Sequence, residues 1–212
     1  LSDSRNADML MIVDALSTGS NGVDISNVQI SIIEKCVEAV DDDNEVVTML
    51  VLKKNGAEIE VMTGDKTPSA TLNMLSELNK GDAIMYSTDT KGKLSKIYRI
   101  VDREKLTQYG SMDWSTGLSG DIHTKTTYKL AGCNYGFAYV RAVRVEDGML
   151  IFRDNENGIR VQSLGSATNK VYVVTNDRHI DIKAATVADI RPGDNVLVRS
   201  NYAKYQECYV FR

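Results

Sequence analysis

Apolar and polar positions along this chain alternate with a period of two over most of its length, the mark of half-buried strands. ISIIEKCVEAV at 30–40 and EVVTMLVLK at 45–53 flank the acidic turn DDDN, and AEIEVMT at 57–63 follows Asn55-Gly56. Asn-Gly between two such runs is a hairpin signal, because both residues tolerate positive φ. TPSATLNMLSEL at 67–78 breaks the period; Pro68 and Ser69 open a short helix with Leu72, Leu75 and Leu78 placed on one face. KGDAIMYSTDTKGKLSKIYRIV at 80–101 then supplies two strands around a Lys91-Gly92 turn. Gly81 turns the chain into the first of them, and Asp82 bonds to turn amides.

The predicted order is therefore strand, strand, strand, short helix, strand, strand, which is that of an OB-type five-stranded barrel. The arrangement recurs. CVEAVDDDNEVVTMLVLKKNG at 36–56 lies over YVRAVRVEDGMLIFRDNENG at 139–158, matching Val37, Ala39 and Val40 with Val140, Ala142 and Val143, and Asn55-Gly56 with Asn157-Gly158. Gly81-Asp82 matches Gly193-Asp194 at a longer offset, so the second copy carries added material in its middle, KVYVVT and HIDIK, before a helical turn at VADI. Strands at YVRAVRVE, MLIFRD, IRVQSL, DNVLVRS and QECYVFR complete it.

The fold expected is all-β: two tandem small β-barrels, OB-like with five strands and a short helix in the first, OB- or SH3-like in the second. The divisions are an N-terminal strand and linker over 1–29, a first module over 30–102, a connecting segment over 103–135 and a second module over 136–212. The connecting segment contributes a strand to one barrel.

Composition narrows the class without naming a chemistry. With 42% hydrophobic and 25% charged residues, the 212-residue chain is ordinary globular material, and its best apolar stretch, MLMIVDAL at 9–16, falls short of a membrane span and is broken by Asp14. No membrane insertion is expected. The first residue is Leu1 and no signal peptide is visible, which fits a processed chain or a piece of a longer one. Net charge is −4, with 10 basic and 17 acidic residues in 1–102 against 15 and 12 beyond. Neither half carries the dense cationic field of a phosphate-backbone binder, so nucleic acid is not an expected partner.

Reactive constellations do not assemble. Cys36, Cys133 and Cys208 are far apart with no CxxC spacing, which argues against zinc and a disulfide framework and leaves a Cys133–Cys208 bridge open. His123 and His179 stand in no nucleophile–base signature, and no phosphate-binding glycine motif is present. No catalytic residue, metal ligand or cofactor is expected. DDDNE at 41–45 and RDNENG at 153–158 lack the alternate spacing of a calcium loop and read as hairpin tips. Tyr98, Trp114, Tyr202 and Tyr205 are the candidate stacking residues for a ligand on a barrel face. Packing competes for them, since a core with three Phe and one Trp needs tyrosines.

Lys80, Gly81, Asp82, Tyr86, Asp89, Gly92, Lys96 and Ile97 resemble a module that accompanies S-layer homology domains in secreted bacterial surface proteins. The resemblance covers 36–102 and is thinner over 139–212, where Pro192 replaces the lysine. It implies a non-enzymatic, extracellular, cell-wall-associated structural or assembly module, whose partners are copies of itself or cell-envelope components. The alternatives are a glycan- or nucleic-acid-binding barrel and a virion or tail structural protein.

Overall fold

A computed structural model describes residues 30–113, 135–146, 149–153, 159–163, 170–201 and 204–212. The first 29 residues and their expected strand lie outside it. Among the described residues the chain is mostly β, with one short α-helix and two sheets. The first sheet contains β1 (Ser31–Val40), β2 (Val46–Lys54), β3 (Ala57–Met62), β4 (Ala83–Thr88) and β5 (Leu94–Val101), with α1 (Ser69–Leu75) between β3 and β4. Its order is β3-β2-β1-β4-β5, with every pairing antiparallel.

The second sheet contains β6 (Gly110–Asp113), β7 (Tyr135–Glu146), β8 (Met149–Arg153), β9 (Ile159–Ser163), β10 (Lys170–Asn176), β11 (Ile180–Ala185), β12 (Asn195–Asn201) and β13 (Lys204–Phe211). It runs β11-β10-β13-β12-β7-β8-β9, and β6 pairs with β7. The path β9-β8-β7-β12-β13 repeats that of the first sheet. The added hairpin β10–β11 joins through a parallel pairing of β10 with β13. Closed barrels were expected; the described pairings give two sheets that do not close, with β3 and β5 as the edges of the first.

Local chemistry sets the turns. Asn55 and Gly56 have φ of 50° and 83°, so the β2–β3 hairpin turns in two residues. The Asp89 carboxylate accepts from the amides of Lys91 and Lys93, both at 2.9 Å, while Gly92 takes φ of 78°. In α1, however, Leu72 is 44% exposed while Leu75, and Leu78 just beyond the helix, are buried. A three-residue spacing drifts around a helix of 3.6 residues per turn, and the face that reaches the core is Thr71, Leu75 and Leu78. Thr71 is accommodated because its hydroxyl donates to Ser95 O at 2.9 Å, just as Thr67 donates to Leu94 O at 2.8 Å. Both hydroxyls satisfy carbonyls along the edge strand β5, which would otherwise offer them to another chain.

Backbone register corrects the sequence match between the copies. Gly81 N donates to Ile33 O and Ile33 N to Asp82 O; in the second copy, Gly193 N donates to Ala142 O and Ala142 N to Asp194 O. Ile33 therefore corresponds to Ala142, an offset of 109 (142 − 33), and not the 103 that pairs Ala39 with Ala142. The bulges agree, at Ile33/Lys35 in one copy and Ala142/Arg144 in the other. Valine and alanine alternate in both strands, so a slide by an even number of residues preserves the pattern and misleads the eye.

Among the described residues the buried apolar side chains form three clusters. Ile33, Leu50, Leu52, Val61, Leu75, Ile84 and Leu94 pack between the first sheet and α1. Val140, Leu150, Phe152, Val196, Val198, Cys208 and Val210 fill the second unit. The third cluster is shared: Ile30, Ile32, Ala83, Met85, Ile100 and Val101 from the first sheet meet Tyr139, Val174, Ile180, Ile182, Leu197, Tyr209 and Phe211 from the second. Segments such as Ala83-Ile84-Met85 are consequently buried on both faces, which explains their continuous apolar character.

Candidate functional site at the rim of the first sheet

Three polar turns meet at one end of the first sheet. The β1–β2 turn, the loop between β3 and α1, and the β4–β5 turn enclose a cleft of about 390 Å³. Side chains tie them together: Lys93 of the β4–β5 turn pairs with Asp41 of the β1–β2 turn at 3.3 Å, and Thr67 of the β3–α1 loop donates to Leu94 O at 2.8 Å. Asp41, Asp43, Glu45, Asp65 and Asp89 line it together with Lys66, Lys91 and Lys93, giving five carboxylates against three ammonium groups.

Internal bonds organise much of that charge. Asp41 accepts from the amides of Asp43 at 3.0 Å and Glu45 at 3.1 Å and pairs with Lys93 Nζ at 3.3 Å. The Glu45 amide is the largest influence holding the Asp41 carboxyl below its ordinary range; burial opposes it, and the Lys93 and Asp43 bonds add to the lowering. Glu45 moves the other way, because its carboxyl faces that of Asp65 and two like charges resist joint ionisation. The net negative lining disfavours a phosphate backbone and suits a neutral, polyhydroxylated ligand. Among the described residues the cleft lining contains no histidine, cysteine, serine or aromatic ring, and no group of three His, Cys, Asp or Glu could hold a metal ion.

Tyr98, the sequence-derived stacking candidate whose side chain is described, does not line the cleft. Tyr98 lies on β5, half-buried, paired with Met85 and packed against the shared core, so the packing role claims it. Tyr205 pairs through its backbone with Ser200. Trp114 and Tyr202 lie outside the described residues, as do His123, Cys133 and residues 154–158 of the second acidic turn. Cys36 and Cys208 are free thiols, and burial pushes both upward from the ordinary thiol range, Cys208 furthest. Buried and neutral, Cys208 is a packing residue.

A second polar constellation, missed from sequence, lies between the units. Glu34, the extra residue of the β1 bulge, accepts from Ile180 N at 2.6 Å and from His179 Nδ1 at 3.2 Å. Lys80 donates to the carbonyls of Arg178 at 2.8 Å and Asp177 at 3.4 Å. Arg103 Nη2 reaches Arg212 O at 3.2 Å. Such contacts join residues about a hundred positions apart, and no periodicity announces them. The rim cleft is no more legible, because β4 runs antiparallel to β1 and strand order alone does not bring their following turns together.

No family model and no curated protein matches the chain. Among solved structures, the chain is similar to one titled "Crystal structure of the tetrameric p202 HIN2", at 10% identity and a TM-score of 0.24 over 92% of each chain. It is also similar to "Crystal structure of p204 HINb domain", at 10% identity and 0.24 over 88% of this chain and 95% of that one, and to "Structural mimicry for functional antagonism", at 10% and 0.25 over 95% and 96%. Likeness at that level carries no argument about function.

Proposed function

We propose that the chain is a non-enzymatic pair of OB-type barrel modules that serves as a structural or assembly unit of a bacterial surface-layer-type protein, extracellular and associated with the cell wall, with copies of itself or envelope components as partners. The observation that carries this reading is the core shared by the two sheets, which makes the pair one block instead of two beads on a linker. The strand path repeated in both sheets, the helix between β3 and β4, and the parallel pairing of β10 with β13 support the barrel description. A rigid spacer needs what is seen here: fixed module geometry and edges kept from uncontrolled pairing, by the α1 hydroxyls on β5 and by exposed Glu58 and Glu60 on β3.

Electron microscopy of the purified chain, alone and with cell-wall fragments, tests the proposal. Ordered arrays or co-sedimentation with the fragments support it. A chain that stays monomeric at every concentration and ignores the fragments contradicts it. The rim cleft favours a second reading, a module that binds a neutral glycan. Binding on a glycan array that Lys93→Ala weakens would support this reading, and a blank array would remove it.

A further inference from the structure

The β10–β11 hairpin occupies the place that α1 takes in the first copy, between the third and fourth strands of the repeat. Its base belongs to the second sheet through β10 and β13, but its far strand, β11, pairs only with β10 among the described strands and packs against β1 and β2. Ile180 and Ile182 of β11 enter the shared core. The turn Asp177–His179 lies between two charged side chains of the first unit. Glu34 takes the amide of Ile180 and the ring of His179, while Lys80 takes the carbonyls of Asp177 and Arg178. Lys80 Nζ also stands 3.8 Å from Glu34.

Glu34 is placed by design of the strand. A β-bulge adds a residue to one strand and re-aims its side chain, and the β1 bulge turns Glu34 toward the second unit, where it is 10% exposed. The corresponding bulge of β7 carries Val143, 37% exposed, which can make no such bond.

We propose that Glu34 and Lys80 form an acid-released latch, which clasps the β10–β11 turn while Glu34 is ionised and frees it once Glu34 is protonated. A carboxylate accepts two bonds and holds Lys80; a carboxylic acid loses the ionic partner and half of its acceptor strength. Burial raises the Glu34 carboxyl, but the Ile180 amide, His179 and Lys80 together outweigh it, so its value falls below the ordinary 4.5. A carboxyl with a lowered folded value contributes stability that is present above its unfolded value and lost as pH falls through the folded one. The latch therefore holds at neutral pH and opens in acid below about 4.5. The other charges near the site are Lys53 on β2 with its partner Glu58 on β3 and Asp181 with its partner Lys183 on β11, while Asp177, Arg178 and His179 belong to the turn itself. Both lysine–acid pairs at the margin are self-compensated, which leaves Glu34 and its partner His179 as the titratable groups bonded at the turn.

The test follows amide exchange and carboxyl titration by NMR on the whole chain between pH 6.5 and 3, with rates corrected for the intrinsic pH dependence. The expected result is that Ile180 loses protection by about tenfold or more over the same pH range in which the Glu34 side-chain carbon titrates, while Leu50 and Leu52 inside the first sheet stay protected. Glu34→Gln should show low Ile180 protection at every pH. If Glu34→Gln does not fold, coincidence of the two wild-type midpoints decides. Ile180 protection that survives titration of Glu34, or is lost together with that of Leu50 and Leu52, overturns the latch.

Discussion

Gly81 and Gly193 make the same bond in the two copies: each has φ of 92° and donates its amide at 2.8 Å across to the strand that opens its unit, to Ile33 O and Ala142 O. The following aspartates repeat as well, Asp82 accepting from Asn79 N at 2.9 Å and Asp194 from Arg191 N at 2.7 Å. The pair is a clip that bends the chain into the fourth strand of each unit, and its chemistry is turn chemistry.

The two clips differ in their surroundings, so alanine should not act equally on them. A Cβ at Gly193 would meet only Arg141 Nη2 at 3.8 Å, whereas at Gly81 it would lie 3.1 Å from both Arg103 Cγ and Asn176 Nδ2, at the junction of the units. Each substitution should cost about 1–2 kcal/mol in backbone strain, with a further loss for Gly81→Ala. Equal losses by denaturant unfolding would refute the difference.

Arg199 and Glu207 face each other across β12 and β13, 3.3 Å apart and nearly inaccessible. Removing one partner strands a buried charge, so Arg199→Met should cost about 3–5 kcal/mol. The double variant Arg199→Met, Glu207→Leu should recover most of that loss. A double variant as unstable as the single one would show that the pair contributes more than mutual neutralisation.

Thr71→Val keeps the shape of a buried side chain but leaves Ser95 O without its hydroxyl donor. Stability should fall by about 1 kcal/mol, and association of the chain at high concentration should rise, since the β5 edge gains a free acceptor. Sedimentation alongside thermal unfolding reads both quantities.

Arg99 stands between two carboxylates, 3.7 Å from Asp82 and 3.5 Å from Asp102, and the two respond to acid oppositely. Burial raises Asp82 beyond what its bonds from Arg103 N, Asn79 N and Arg99 restore. Asp102 is raised by burial too, but the Lys105 and Glu104 bonds with the Arg99 charge bring it below its ordinary 3.8. Acid thus removes stability through Asp102, as pH falls below about 3.8, and returns some through Asp82. Plotted as unfolding free energy against pH, Asp102→Asn should flatten the acid limb and Asp82→Asn steepen it, each by a fraction of the ~1.4 kcal/mol per pH unit that one proton carries. The reverse order would invalidate the assignment.

Strand positions were readable from the sequence because alternation is a local property, and the β10–β11 hairpin and the turn at Val187–Asp189 were anticipated in the same way. What escaped was long-range. The copies were superposed six residues out of register (109 − 103), since a β pattern looks alike after any even slide. A spacing of three puts Leu72 on one face with Leu75 and Leu78, where the helix period selects Thr71. The shared core had a signal of its own, the unbroken apolar stretch at Ala83–Met85 and the adjacent pair Ile32-Ile33, which a strand exposed on one face does not need. Glu34 and Lys80 gave none, because nothing nearby in sequence marks a side chain whose partner is about a hundred and forty or a hundred residues away.

The most direct measurement is amide exchange across the whole chain after Ile32→Ala, a substitution in β1 that touches the second unit only through the shared core. The account predicts that Tyr209 and Phe211 in β13 lose protection along with Leu50 and Leu52, by an amount matching the ~2–5 kcal/mol cost of a buried isoleucine, and that both units unfold in one transition. Protection in β13 left at its wild-type level, with the first unit alone destabilised, would contradict it.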